Sequence, residues 1–174
     1  MRRIALALFR SMRGSFRRNR NSCAKLDIIA HESASELMSD ELIQQKIALC
    51  EESLAALEKI FPQDFEALFP DPLTLPAIER YFQLVVDSAV DCNNLILETK
   101  EREKPETYFG TFTALGESGV ISSDLAAQIA PSVGLRNALI HRYEGIDRKR
   151  MHSSIGKFIQ LYRQYLRAIS KLYL

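Results

Sequence analysis

At 174 residues, with 47% hydrophobic side chains, the chain fits one domain with a core of ordinary size. Seven Gly and six Pro favour helix over sheet, and no apolar run approaches the roughly 20 residues that a membrane-crossing helix needs. The net charge of +1 conceals a basic start, an acidic middle and a basic final quarter (residues 134–174, nine Lys/Arg against two acids), which excludes a general nucleic-acid coat but allows local attraction of a polyanion.

Residues 1–25 carry eight Lys/Arg and no acid, with one short apolar stretch from Ile4 to Phe9. That composition is similar to an organelle transit peptide. An over-long start is the alternative, because Met12 or Met38 would also serve. Residues 1–37 are expected to be a basic, disordered or dispensable extension, and the helical domain to span 38–174. Cys23, Cys50 and Cys92 show neither a CxxC pairing nor metal-ligand spacing with histidine, so they read as reduced thiols of a cytoplasmic protein.

Ser39 suits an N-cap, with Asp40 and Glu41 in the first turn. Ile43, Ile47, Cys50, Leu54, Leu57 and Phe61 then recur at spacings of four and three, which predicts one apolar helix stripe ended by Pro62. A second stripe, Ile78, Phe82, Val85, Ala89, Cys92 and Ile96, is widened by Tyr81, Val86 and Leu95, so this helix is expected to be buried on two sides. A short connection makes the two an antiparallel pair. After Pro105 a shorter helix carries Phe109, Phe112 and Leu115 and closes at Gly116 and Gly119. Ser123 is expected to cap a piece from Asp124 to Ala130. Pro131 either ends that piece or starts PSVGLRNALIHRY, with Gly145 suited to a C-terminal cap. Asp147 caps a last helix whose inner face is Met151, Ile155, Phe158, Tyr162, Tyr165, Ile169 and Leu172, with His152 in an exposed first turn. The expected fold is all-α, an antiparallel bundle of four or five helices.

Of the three histidines, His31 lies in the extension and His152 at the start of the last helix, which leaves His141 as the candidate for chemistry. Asn137 precedes it by one turn on the same face. Arg136 lies five residues before it, roughly 140° around an ideal helix, so the two diverge unless the long Arg side chain wraps round, the helix breaks or a second copy contributes. The geometry motivates the hypothesis of a composite site, formed where two copies of the segment meet across a two-fold axis. The residue types suit RNA cleavage, in which the 2′-OH attacks the phosphorus. An imidazole can take or give the proton, and a guanidinium can hold the charge that builds on the phosphate. No carboxylate cluster accompanies them, so neither a metal nor another cofactor is expected. Asp87, Asp91 and Asn94 line one side of the second helix; they either orient Arg136 or His141 or form a solvated face. Tyr162 and Tyr165 could stack bases, but their spacing favours core packing.

The string RNALIHRY, residues 136–143, resembles the signature of the HepT family of the HEPN superfamily: Arg, four residues, His, one residue, Tyr, often with Asn after the Arg. The likeness continues through AIERYFQLVVDSAVDCNNLIL, KPETYFGTFTALGESGVIS and LAAQIAPSVGLRN. It covers roughly residues 40–172, and the extension has no counterpart in it. The resemblance implies a homodimeric HEPN-like bundle acting as a metal-independent endoribonuclease toxin. It also implies a partner, a minimal nucleotidyltransferase antitoxin of the MntA kind, which adds AMP to the motif tyrosine. Carried onto this chain, Arg136 and His141 are catalytic, Asn137 supports them, Tyr143 is the AMPylation site and RNA is the substrate; Asp91 is added as a supporting residue from its place on the second helix, not from the resemblance. Arg142 is added, on charge alone, as an RNA phosphate contact. A non-catalytic HEPN subunit that binds nucleotides or positions substrate for the nucleotidyltransferase is the alternative.

Overall fold

Helix α1 (Arg20–Ile60) continues without a break through the position where the sequence suggested a start. None of its 41 residues is Gly or Pro, so nothing interrupts the backbone hydrogen-bond ladder at Ser39. Ser39 is therefore a mid-helix residue, not an N-cap. The computed structural model describes residues 37–174 except Gln63 and 142–146, and the backbone alone over 20–36. Arg142, Tyr143 and Gly145 lie outside the described residues. The chain divides into Met1–Leu37 and Met38–Leu174, and the second of these holds the core described below.

The predicted stripe on α1 is realised: Ile43, Ile47, Cys50, Leu54 and Leu57 are fully buried. The helix stops before Pro62, which disfavours helical backbone at Phe61. A 3-10 turn (Phe65–Leu68) follows, capped by Asp64. Helix α2 (Thr74–Thr99) buries Ile78, Phe82, Val85, Val86, Ala89, Val90, Cys92, Ile96 and Leu97, an apolar surface too broad for a single contact. It runs antiparallel to α1, since Lys46 meets Asp91 and the Cys50 thiol meets the Val85 carbonyl.

Helix α3 (Tyr108–Glu117) starts at Thr107, whose hydroxyl accepts from the Gly110 N–H at 3.1 Å. Its end corrects the expectation for the two glycines. Gly116 is helical and buried, and a Cβ there would come within 2.8 Å of the Ala126 Cβ. Gly119 is the terminator, at φ +73. Its N–H donates to the Gly116 carbonyl and the Val120 N–H to the Leu115 carbonyl, which closes a Schellman motif. Phe112 and Leu115 of this helix are buried, whereas Phe109 is exposed. Helix α4 (Ser123–Ile129) is capped by Ser122, not Ser123. Pro131 starts helix α5 (Ser132–Ile140), where its fixed φ suits a first turn.

Helix α6 (Arg148–Tyr173) is capped as expected by Asp147, which accepts from the Arg150 N–H. Met151, Ile155, Phe158, Tyr162, Tyr165 and Ile169 are buried, whereas Leu172 is exposed beyond the reach of the core. Phe158 bridges Phe82 and Tyr162 at ring separations of 4.2 and 4.3 Å. His152 is not exposed as expected: its Nε2 lies 2.9 Å from the Pro62 carbonyl and its ring packs on Phe61 and Phe65. Arg163 pairs with Glu58, and Gln44 donates to the Tyr173 carbonyl, so α6 also runs antiparallel to α1. The described residues form an all-helical bundle of three long and three short helices, with no strand among them.

One buried hydrogen-bond chain crosses this core. The Tyr165 hydroxyl donates to Asn93 Oδ1 at 2.7 Å, Asn93 Nδ2 to Thr111 Oγ1 at 3.2 Å, and the Thr111 hydroxyl to the Tyr108 carbonyl at 2.7 Å. Replacing Asn93 by Leu, of similar size, removes the donor to Thr111 Oγ1 and leaves the Tyr165 hydroxyl only the Ala89 carbonyl at 3.2 Å, and should destabilise the protein by about 1–3 kcal/mol. Urea denaturation checks this, a lowered midpoint at unchanged slope being the expected result.

Candidate active site

Helix α5 has nine residues, and its buried Val133 and Leu139 fix which side faces outward. Its first residue is tied to α6, the Ser132 and Tyr162 hydroxyls lying 2.9 Å apart. That rotation carries Arg136 toward α2 and α3. Its Nε donates to Asp87 Oδ1 at 2.6 Å, and its Nη1 to Asn137 Oδ1 at 3.1 Å. The guanidinium carbon sits 5.1 Å above the centre of the Tyr108 ring. The Arg136 side chain is 17% exposed, so a cation is held at the surface with little rotational freedom. Its Nη2 is bonded to no acceptor among the described residues, which leaves donors for an anion.

His141 is the C-cap of α5, exposed, with its N–H donating to the Asn137 carbonyl at 3.1 Å. The helix ends at this residue, one of the ways in which the 140° divergence from Arg136 can be altered. Asn137 connects the two along the chain, accepting from the Arg136 side chain with its own and from the His141 N–H with its carbonyl.

The residue expected to assist from α2 changes. Asp91 is turned to α1, where Lys46 Nζ donates to its Oδ2 at 2.7 Å. Asp87, one turn earlier, takes the place beside Arg136. Its spacing had marked it only as one of three polar residues on that helix. Tyr108 had no sequence signal, being an aromatic in a connecting stretch. Asn94 lies on the Lys46 side, in a separate 820 Å³ cavity with Lys46 and Asp91. Tyr162 and Tyr165 are fully buried, and burial pushes both hydroxyls well above the usual tyrosine range, so neither presents a face to a base. Cys50 and Cys92 are free and buried, the Cys92 thiol pushed up to about 12 by burial. No three His, Cys, Asp or Glu side chains converge as a ligand set among the described residues.

The locked cation and the helix-ending histidine both lie within a stretch that matches a known family model. Residues 50–169 match the model described as Ribonuclease HepT-like. The chain belongs to that HepT-like family. Over 117 residues it is 37% identical to the tRNA nuclease HepT of Aphanizomenon flos-aquae (strain 2012/KM1/D3), spanning 67% of this chain and 78% of that protein. In fold it is similar to a tri-AMPylated HEPN toxin of Shewanella oneidensis in complex with MNT antitoxin. There the TM-score is 0.68 at 19% identity, over 75% of this chain and 97% of that one. The cytosolic protein of unknown function YutE from Bacillus subtilis gives 0.64 at 15%, over 75% and 87%. At such identities these two likenesses speak for the HEPN bundle alone.

In this HepT-like chain Asp87 is the anchor of Arg136. Asp87→Ala should leave the bundle folded, since the carboxylate is partly exposed, but free the guanidinium. RNA cleavage should fall about ten-fold or more, with the melting temperature nearly unchanged. A rate equal to wild type would show that the ion pair does not position Arg136.

Proposed function

We propose that this protein is a metal-independent endoribonuclease toxin of a toxin–antitoxin pair, working in the cytoplasm as a homodimer. The observation that carries the reading is Arg136, held by Asp87, Asn137 and Tyr108 five residues before the exposed, helix-ending His141. The family match and the 37% identical tRNA nuclease support it. In the reaction the RNA 2′-OH attacks the adjacent phosphorus, its proton passes to a base, and the 5′-oxygen leaves with a proton from an acid. His141 serves as base or acid, and Arg136 donates to the phosphate oxygens as negative charge builds on them. Asn137 holds the Arg136 fork, and Arg142 contacts a neighbouring phosphate. Five residues apart, Arg136 and His141 diverge by roughly 140° on an ideal helix, so on this reading the full constellation is completed by the second copy.

On this reading the antitoxin is a nucleotidyltransferase of the MntA kind, supported by the fold neighbour from Shewanella oneidensis, a tri-AMPylated toxin in complex with MNT antitoxin. It acts on Tyr143, two residues after His141. AMP on that phenol adds bulk and negative charge where an RNA phosphate must sit, and Arg136 and Arg142 would pair with the nucleotide instead.

Cleavage of RNA by protein purified without the partner, in excess EDTA, tests this reading. Wild type should cut; His141→Ala should lose about 10²-fold or more, and Arg136→Ala about 10²–10³-fold, with unchanged melting temperatures. Inactive wild type, shown by mass to carry no AMP on Tyr143, would overturn it in favour of a non-catalytic subunit of the nucleotidyltransferase.

A further inference from the structure

Beside Arg136 the surface opens into a cavity of about 470 Å³, within the range of small-ligand sites. Its walls are the first turn of α3 and the outer face of α5: Tyr108, Phe109, Gly134, Arg136 and Asn137. Three features of it serve no purpose in the fold. Phe109 is 49% exposed and Tyr108 42%, two adjacent large aromatics at the surface of a bundle in which Phe69 is the only other exposed aromatic among the described residues. Gly134 has open space where a side chain would begin, with nothing within 4 Å of a Cβ. The polar groups at the margin, the Arg136 fork and the Asn137 amide, are the ones already assigned to phosphate chemistry.

We propose that this cavity is a base-binding subsite, in which Phe109 stacks the nucleobase next to the phosphate that Arg136 holds. The inference rests on the ribonuclease reading above and names its substrate class, an unpaired RNA nucleotide. Tyr108 lends one face to the Arg136 guanidinium, so its ring holds the cation and Phe109 is the aromatic left for the base. Stacking on an aromatic accepts any base, because every base has a π face, and the neighbouring guanidinium and amide are donors for its edge or its phosphate. A paired base inside an A-form helix cannot enter, since its faces are occupied by its stacked neighbours. The absence of a side chain at Gly134 leaves the depth that a planar ring requires.

The test uses the full chain in the non-cleaving His141→Ala background, and the probe is a fluorescein-labelled single-stranded RNA heptamer of mixed sequence. The same strand annealed to its complement is the comparison. Phe109→Ala and Gly134→Leu should each weaken binding of the single strand about ten-fold, while Phe109→Tyr retains it and duplex affinity stays unchanged in all three. Melting temperatures should not fall, because Phe109 is exposed and the new side chain at Gly134 meets open space. Unchanged single-strand affinity in both Phe109→Ala and Gly134→Leu overturns the subsite. Loss of dimer or of antitoxin binding with RNA affinity intact also overturns it, and makes the patch a protein-docking surface. Weakened single-strand binding in a protein whose wild type does not cleave RNA would support the subsite and sink the nuclease reading alone.

Discussion

Between α2, α3 and α6 the core is not wholly apolar. Tyr165 donates to Asn93, Asn93 to Thr111, and Thr111 to the carbonyl of Tyr108, each side chain in the chain of bonds buried. Inside a protein such a series has one satisfactory arrangement, because any slip leaves a donor or acceptor without water. It therefore fixes the register of the first turn of α3 against α2, a setting that apolar packing alone leaves tolerant of small shifts. The residue at the end of the series is Tyr108, and the ring of Tyr108 is the surface on which Arg136 rests. A core hydrogen bond is thus connected, through one backbone carbonyl, to the orientation of a surface cation.

Arg136 is held from the other side by Asp87 on α2. The Coulomb attraction of a partly exposed pair contributes modestly to stability, about 0–1 kcal/mol for typical exposed pairs. Its larger effect is directional. A guanidinium with Nε and Nη1 engaged and its face on an aromatic ring keeps its remaining donors aimed one way. Stabilisation of developing charge is greatest when donors need not reorganise during the reaction, so the arrangement suits a transition state better than a resting anion.

The three long helices were legible because their apolar residues repeat at helical spacing over five or more turns, and the buried stripes coincide with Ile43 to Leu57, Ile78 to Ile96 and Met151 to Ile169. Ends were less legible. Ser39 has the chemistry of a cap, yet a cap acts only where the preceding residues leave the helix, and none before it is a breaker. Ser122 and Ser123 both satisfy a cap by composition, and the backbone selects the first. Burial at the margins depended on what lay opposite: Pro62, Phe61 and Phe65 cover His152, whereas Phe109 and Leu172 stay about half exposed. In the site, Arg136, Asn137 and His141 could be singled out from residue type and spacing. The choice between Asp87 and Asp91 could not, since residues four apart on α2 point within about 40° of one another. Lys46 on α1 claims one and Arg136 on α5 the other, a fact of tertiary packing.

The placement of His141 completes the physical picture of the proposed reaction. Arg136 is held by three neighbours, and His141 is exposed at the C-terminal end of the short helix α5. The two tasks differ in what they demand. Charge stabilisation needs a fixed donor, while proton transfer needs a group that can approach first one oxygen and then another. The attacking and leaving oxygens lie on opposite sides of the phosphorus, and one imidazole on a short helix end reaches both only by moving. On the proposed homodimer, a second copy would bring a second His141, so base and acid need not be the same imidazole. On the proposed reading the dimer is therefore part of the chemistry, because it supplies base and acid separately from two copies of the same nine-residue helix.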